Sequence, residues 1–259
     1  MHFQTLEGGI QEEIMITARH PEPGRAVEID VEDGKIAAVR VTTRDPGEVW
    51  ATPGLIDLQV NGFAGVDYNE PEVTLDDIGR SVEAIRATGV TRFLPTVITG
   101  SRERMCGALR KLVLAKQRHP EIAGFHVEGP FIAVEEGPRG AHPREHVRPA
   151  DREEFLRMQE AADGGIRLLT LAPESPGAAG VIELAVEHGV VVGIGHSGAT
   201  AAQIRDAIGA GATMSTHLGN GSHAMLPRHP NYIWEQLAAD ELYAGLIVDG
   251  IHLPPSFVK

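Results

Sequence analysis

Two hydrophobic rhythms divide this chain. Up to about Trp50 the apolar runs are short and strand-like: Ile14-Met15-Ile16, Ala26 to Val31, and Lys35 to Val41. Glu32-Asp33-Gly34, between the last two, is a hairpin signal. Residues 1–50 therefore predict a small β-domain, with a plain N-terminal extension as the alternative. Beyond Pro53-Gly54 the pattern changes. Strand-like runs at 55–62, 91–96, 123–128, 166–171, 190–194, 212–216 and 243–248 alternate with helical periods, and the first of them reads as buried. Thr74 caps a helix that turns Ile78, Val82 and Ile85 inward and closes at Gly89. Ser101 opens the next, with Met105, Leu109, Leu112 and Val113 inward and Pro120 beyond its end. Ala150-Asp151 introduces a helix to about Ala162. Others are predicted over 178–188, 201–210 and 233–239.

Strands alternating with amphipathic helices predict a parallel sheet with helical crossovers. Polar residues at several different strand ends favour a (β/α)8-type TIM barrel over an open doubly wound sheet. Residues 51–259 are thus expected to form an α/β barrel with seven of its eight strands visible. No G-x-G-x-x-G follows the first strand, which weakens a dinucleotide-binding alternative.

Three of the runs end in metal-capable side chains. The run 123–128 ends in Glu128, just before Gly129-Pro130; 190–194 leads through Gly195 to His196; 212–216 leads to His217. Alone, Glu128 reads equally well as a strand-end cap, and a lone histidine such as His196 reads more readily as structural than as a ligand. Together, two imidazoles and one carboxylate on three strands of one sheet match the ligand set of a hydrolytic metal site with a position open for water.

Charge narrows the partners. The formal net charge of -13 argues against general nucleic-acid binding, but a few local Arg and His residues can still hold an anion. The single cysteine, Cys106, rules out an intramolecular disulfide and fits a reducing compartment; it reads as a small buried apolar residue. Met1 to Gly9 shows no leader pattern, and no apolar run approaches the ~20 residues of a membrane span. A cytoplasmic protein is the expectation.

Pro53-Gly54-Leu55-Ile56-Asp57-Leu58-Gln59-Val60-Asn61-Gly62, Phe125-His126-Val127-Glu128-Gly129-Pro130-Phe131, Gly140-Ala141-His142, Leu171-Ala172-Pro173-Glu174, Gly195-His196-Ser197-Gly198-Ala199-Thr200, Thr216-His217-Leu218 and Asp249-Gly250-Ile251-His252 occur in that order. Together they resemble the N-acetylglucosamine-6-phosphate deacetylase family of the amidohydrolase superfamily. The resemblance implies a metal-dependent barrel flanked by a small β-sandwich. It implies release of acetate from an amino-sugar phosphate, with Glu128, His196 and His217 holding one divalent ion, Zn2+ in first place with Fe2+, Mn2+ or Co2+ as alternatives. Many amidohydrolases carry His-x-His on the first strand and hold a second metal. Gln59 and Asn61 stand there instead, remnants of a second site, and amides are poor replacements for imidazoles. By the same resemblance His142 serves catalysis and binds the acetamido group or sugar, Asn220 and Gly221 bind substrate, and Arg228 and His252 face the phosphate. A homodimer is implied as well.

Two departures qualify this. The family pattern Phe-Asn-Ala-Met after Thr-His-Leu is replaced here by Gly219-Asn220-Gly221-Ser222-His223-Ala224-Met225, which leaves the sugar and the phosphate requirement open. The family's catalytic Asp at the tip of the eighth strand has no match. Asp249 is read as part of the seventh strand's motif, and Asp57 as a residue that orients its neighbours. A chain truncated relative to the family, with little or no turnover by itself, is therefore expected. Two rivals stand beside the main reading: a deacetylase or amidase for another amino sugar or a cyclic amide, and a chain that binds metal or sugar without turnover.

Overall fold

The computed structural model describes residues 14–22 and 24–259. The stretch Met1 to Gly9, read above for a leader, lies outside them. The chain forms two compact units, Met1–Gly54 and Leu55–Lys259.

In the first unit, β1 (Ile14–Arg19), β2 (Ala26–Glu32) and β3 (Lys35–Val41) make a three-stranded antiparallel sheet in that order. Asp33 and Gly34 both have positive φ at the β2–β3 turn, the geometry that favours Asx-Gly in tight hairpins. A bulge between Asp30 and Val31 shifts the register.

The second unit is a curled parallel sheet wrapped by helices, a TIM-barrel type of architecture. Its strands are β4 (Leu55–Val60), β7 (Val90–Ile98), β8 (Phe125–Glu128), β9 (Ile166–Leu171), β10 (Val191–Ile194), β11 (Met214–Ser215) and β12 (Tyr243–Ala244). They pair in the order β12-β11-β10-β9-β8-β7-β4. A small hairpin, β5 (Gly62–Phe63) with β6 (Val66–Asp67), follows β4. The crossovers are α1 (Leu75–Arg86), α2 (Arg102–Arg118), α3 (Arg152–Ala161), α4 (Ala178–Glu187), α5 (Ala201–Gly209) and α6 (Tyr232–Ala238); α7 (Pro255–Val258) follows β12. Local chemistry explains their starts. Thr74 with Asp77 and Thr200 with Gln203 form capping boxes, while Ser101, Asp151 and Asn231 cap α2, α3 and α6 by side-chain acceptors, each satisfying N–H groups that the first turn leaves free. The inward faces of the helices, including Ile78, Val82, Leu109, Leu112, Phe155 and Val181, pack on Phe93, Phe125, Val127, Leu169 and Val192 of the strands.

Four sequence expectations are corrected. Run 55–62 reads as buried in the sequence, but Leu55 to Leu58 are exposed, because among the described residues β4 is an edge strand bonded only to β7. Run 212–216 contracts to Met214–Ser215, and run 243–248 contracts to Tyr243–Ala244, since only two residues of each find parallel partners. Asp249 lies beyond that strand in a turn, where its Oδ1 accepts the N–H groups of Ile251 and His252. Among the described residues no helix is long and apolar enough to cross a membrane.

Candidate metal centre

Glu128 is the last residue of β8, and His196 and His217 lie just past β10 and β11. All three are buried. Parallel strands deliver them to the same end of the sheet, where side chains converge over the curled inner face. Glu128 Oε1 lies 3.2 Å from His196 Nε2 and 2.9 Å from His217 Nε2, and the two imidazole nitrogens are 3.1 Å apart. These are the three side chains that meet the geometric requirement for a shared ion among the described residues. Ligand atoms held about 2.0–2.1 Å from a tetrahedral zinc ion would stand roughly 3.3 Å from one another. The observed spacings match, and the donor set of one carboxylate and two imidazoles fits a divalent cation.

The surroundings fix how these ligands point. His196 Nδ1 lies 2.8 Å from the carbonyl of Pro138, so that nitrogen carries the proton and Nε2 is left with its lone pair. Glu174 accepts hydrogen bonds from Ser197 Oγ (2.7 Å) and the Gly198 amide (2.6 Å), holding the segment that follows His196. Both histidines have positive φ, 51° at His196 and 32° at His217, a conformation that residues with a Cβ adopt infrequently and that concentrates at functional sites.

Of the other predicted site residues, several join this cluster. His142 is buried with Nε2 3.5 Å from Glu128 Oε2 and 3.2 Å from His196 Nε2. Gln59 donates from Nε2 to Glu128 Oε1 at 2.8 Å, so the position is occupied by a carboxylate-binding amide; Asp57 accepts the Gln59 amide N–H, the orienting role expected of it. Asn61 is exposed. Asn220 bonds through its backbone and side-chain nitrogens to the carbonyl of His217. Gly221 has φ of 56°, and a Cβ there would sit 2.8 Å from His196 Nδ1, so the loop can press on the imidazole only with glycine. Arg228 and His252 stand apart from this group. Arg228 is exposed on a depression lined by Leu226, Pro227, His229, Asn231, Ile233 and Trp234. His252 bonds through Nδ1 to Asp249 Oδ2 at 2.7 Å.

Electrostatics agree with a cation site. Burial by itself would raise the Glu128 carboxyl, but the adjoining imidazoles of His142, His196 and His217 outweigh it and hold the group well below the usual carboxylate range. Burial pushes His142 down, against a smaller upward pull from Glu128. The centre thus presents an ionised Glu128 carboxylate beside a His142 ring that burial holds towards its neutral form. Cys106 is only partly buried, with its thiol pushed up by burial.

Sequence reasoning assigned no role to several residues that matter here. His126, Thr170, Thr216 and Glu174 lie within or beside quoted motifs, yet their function depends on partners dozens of positions away. The Pro138 carbonyl leaves no side-chain signal at all. His223, one of the extra residues in the altered loop, contacts Tyr232 OH through its amide N–H (2.8 Å) and Nδ1 (3.0 Å), and its Nε2 faces Glu135 at 3.3 Å.

No family model matches the chain. It is 37% identical over 238 residues to N-acetylgalactosamine-6-phosphate deacetylase of Shewanella sp. (strain ANA-3), a match covering 88% of this chain and 59% of that relative. The solved structure of N-acetylglucosamine-6-phosphate deacetylase from Pasteurella multocida is 30% identical with a TM-score of 0.79, covering 95% of this chain and 67% of that one. A mutant of the Mycobacterium smegmatis enzyme in complex with N-acetyl-D-glucosamine-6-phosphate gives 28% identity and a TM-score of 0.83, covering 95% of this chain and 66% of that one. The chain spans about 59% of the length of that curated relative. The chain belongs to the N-acetylglucosamine-6-phosphate deacetylase family of amidohydrolases.

Proposed function

We propose that the chain serves metal-dependent hydrolysis of the acetamide of N-acetylglucosamine-6-phosphate, giving glucosamine-6-phosphate and acetate. The observation that carries this is the convergence of Glu128, His196 and His217 on one point, in a chain whose relatives bear deacetylase names. These three residues would hold a single divalent ion, with Zn2+ favoured by the two nitrogens and one carboxylate and Fe2+, Mn2+ or Co2+ compatible with them. The chemistry supplied by a cation bound there is polarisation of the amide carbonyl and acidification of water.

The chain's own residues prepare the site, short of the family's catalytic Asp, which has no match here. Glu128 stays ionised across the working pH range, and Gln59 holds its Oε1 in place. Gln59 and Asn61, in place of imidazoles, favour one metal over two. His142, beside Glu128 and His196, is placed to donate to the acetamide oxygen as charge develops on it. Asn220 and Gly221 shape the substrate side of the His196–His217 cleft, and Arg228 and His252 take the phosphate, the planar guanidinium suiting paired phosphate oxygens. Residues 1–50 belong to a partial β-sandwich, residues 51–259 to the barrel. The protein works in the cytoplasm, as a homodimer.

A second reading has a specific observation behind it. The Shewanella relative is named for the galactosamine epimer, and the altered 219–230 loop lies on the substrate side. The test combines metal analysis with acetate release from the 6-phosphates of N-acetylglucosamine and N-acetylgalactosamine and from unphosphorylated N-acetylglucosamine. Close to one divalent ion per chain is expected, lost in Glu128→Ala, with little turnover and with such acetate release as occurs preferring the glucosamine phosphate. A chain without bound metal, or with no preference for phosphorylated sugar, would sink the proposal. Preference for the galactosamine phosphate would establish the second reading.

A further inference from the structure

Beneath the ligands runs a second polar layer that the chemistry above does not use. On the inner face of the sheet, Thr96 of β7, His126 of β8, Thr170 of β9 and Thr216 just after β11 are all buried. Thr170 Oγ1 lies 2.8 Å from His126 Nε2 and 2.7 Å from Thr216 Oγ1. At the other end, Thr96 Oγ1 accepts the amide N–H of Val60 on β4 (3.1 Å) and donates to the carbonyl of Leu94 (3.2 Å).

The neighbours assign every proton. The Thr96 hydroxyl hydrogen goes to Leu94, so its oxygen is an acceptor towards His126 Nδ1 at 3.5 Å. Nδ1 of a neutral imidazole is then the donor and Nε2 the acceptor. Thr170 accordingly donates to His126 Nε2 and accepts from Thr216. The side-chain bonds run one way from Thr216 to Thr96, and the Val60 amide donates to Thr96 from the far side, so that β7, β8, β9, the end of β11 and β4 are tied together.

This belt crosses β10 without touching a side chain of that strand, and the reason is visible. A Cβ at Gly193 would lie 2.5 Å from Thr216 Oγ1, and one at Gly195 would lie 2.7 Å from Thr170 Cγ2 and 2.9 Å from Thr216 Cβ. The two glycines open a gap through which the threonines reach each other across an intervening strand. Each candidate ligand sits one or two residues beyond this belt: Glu128 after His126, His196 after Gly195, His217 after Thr216.

We propose that Thr170 and Thr216, closed over Gly193 and Gly195 and ended on His126, are positioning residues that set the spacing of Glu128 and His217. The proposal rests on the metal reading of those ligands. Hydrogen bonds that support ligating groups are worth roughly 10–100-fold in metal affinity, although neither threonine touches the ion.

The test uses the full chain and Co2+, followed by its d–d absorption and by titration against a competing chelator. Thr170→Val keeps the shape and removes the hydroxyl; it should weaken Co2+ binding by roughly tenfold or more and shift the absorption band, while circular dichroism stays native. Thr170→Ser should restore both affinity and spectrum. Thr216→Val breaks the same bond from the other side and should reproduce the valine phenotype, which covers the case in which Thr170→Val does not fold. A folded Thr170→Val chain with unchanged affinity and spectrum overturns the positioning role and leaves the metal site standing. Thr170→Ser as impaired as the valine variant also overturns it, since the methyl and not the hydroxyl would then matter. An unsubstituted chain that takes up no Co2+ overturns the metal reading and this proposal with it.

Discussion

Strand β8 is buried at all four of its positions and β9 at five of six, whereas β4 exposes its first four residues and β12 both of its own. The interior strands end in Glu128 and lead into the polar belt. Exposed loops carry other groups: beyond the edge strand β12, His252 bonds to its near neighbour Asp249, and between β11 and α6 Arg228 makes no ion pair among the described residues. The difference teaches that this sheet keeps its rigid chemistry where both faces are covered. The exposed segments are held by fewer contacts, as loops commonly are.

The sharpest way to break this comparison is by truncating side chains. Phe125→Ala, in the middle of β8, should cost about 3–5 kcal/mol in urea unfolding, because the ring is fully buried and its neighbours can close only partly around the gap. Ile56→Ala, at 66% exposure on β4, should stay within about 0.5 kcal/mol of the parent. Equal costs at the two sites would mean that β4 is as enclosed as the middle of the sheet.

A second, somewhat smaller effect follows from pH. Burial pushes His126 down to about 4 from 6.5, opposed in part by Glu128. The unfolded chain then takes up a proton on this residue at a higher pH than the folded one does. Its contribution is fully present above pH 6.5 and is lost as pH falls towards 4, a change of roughly 2–4 kcal/mol. His142, also pushed down by burial, adds with the same sign. Chelator-treated chain measured by denaturant unfolding at pH 7.5, 5.5 and 4 should lose stability along that series, and His126→Gln should flatten the slope. A slope that persists unchanged in His126→Gln would assign the effect to other groups.

The smallest effect belongs to the exposed segments. Arg228→Ala should leave metal content and the unfolding midpoint untouched and weaken binding of N-acetylglucosamine-6-phosphate by about tenfold, roughly 1.4 kcal/mol, read by calorimetry. Unaltered affinity would remove the 226–234 loop from the phosphate's surroundings.

Much of this was legible in the sequence for a physical reason. Helix starts depend on a few adjacent residues, so Thr74, Ser101 and Asp151 could be read directly as caps. Glu128, His196 and His217 stood out because a metal-capable side chain at the end of a strand-like run breaks the apolar pattern abruptly. What stayed hidden was non-local or carried no side-chain signature. Nothing near residue 55 announces that β4 has a partner on one side only. Ala212 and Thr213 have the apolar and β-branched character of a strand, yet parallel partners begin only at Met214. The β5–β6 hairpin turns through Ala64 at φ 53° and Gly65 at φ 82°, and an alanine in that conformation gives no turn signal. His126 looked like any histidine in an apolar run, since Thr170 lies 44 positions away along the chain.

The left-handed backbone at His196 and His217 has a consequence for how such a barrel can change over generations. Each of those residues holds a Cβ in a conformation disfavoured by roughly 1–2 kcal/mol, which glycine occupies freely and asparagine more easily than most. A population selected only for heat tolerance would therefore drift towards Gly or Asn at exactly these two strand ends, as stabilising changes are common wherever function is not tested. The fold would become sturdier and lose two of its three ligands in the same steps. Retention of both histidines against that drift needs a continuing demand for the ion.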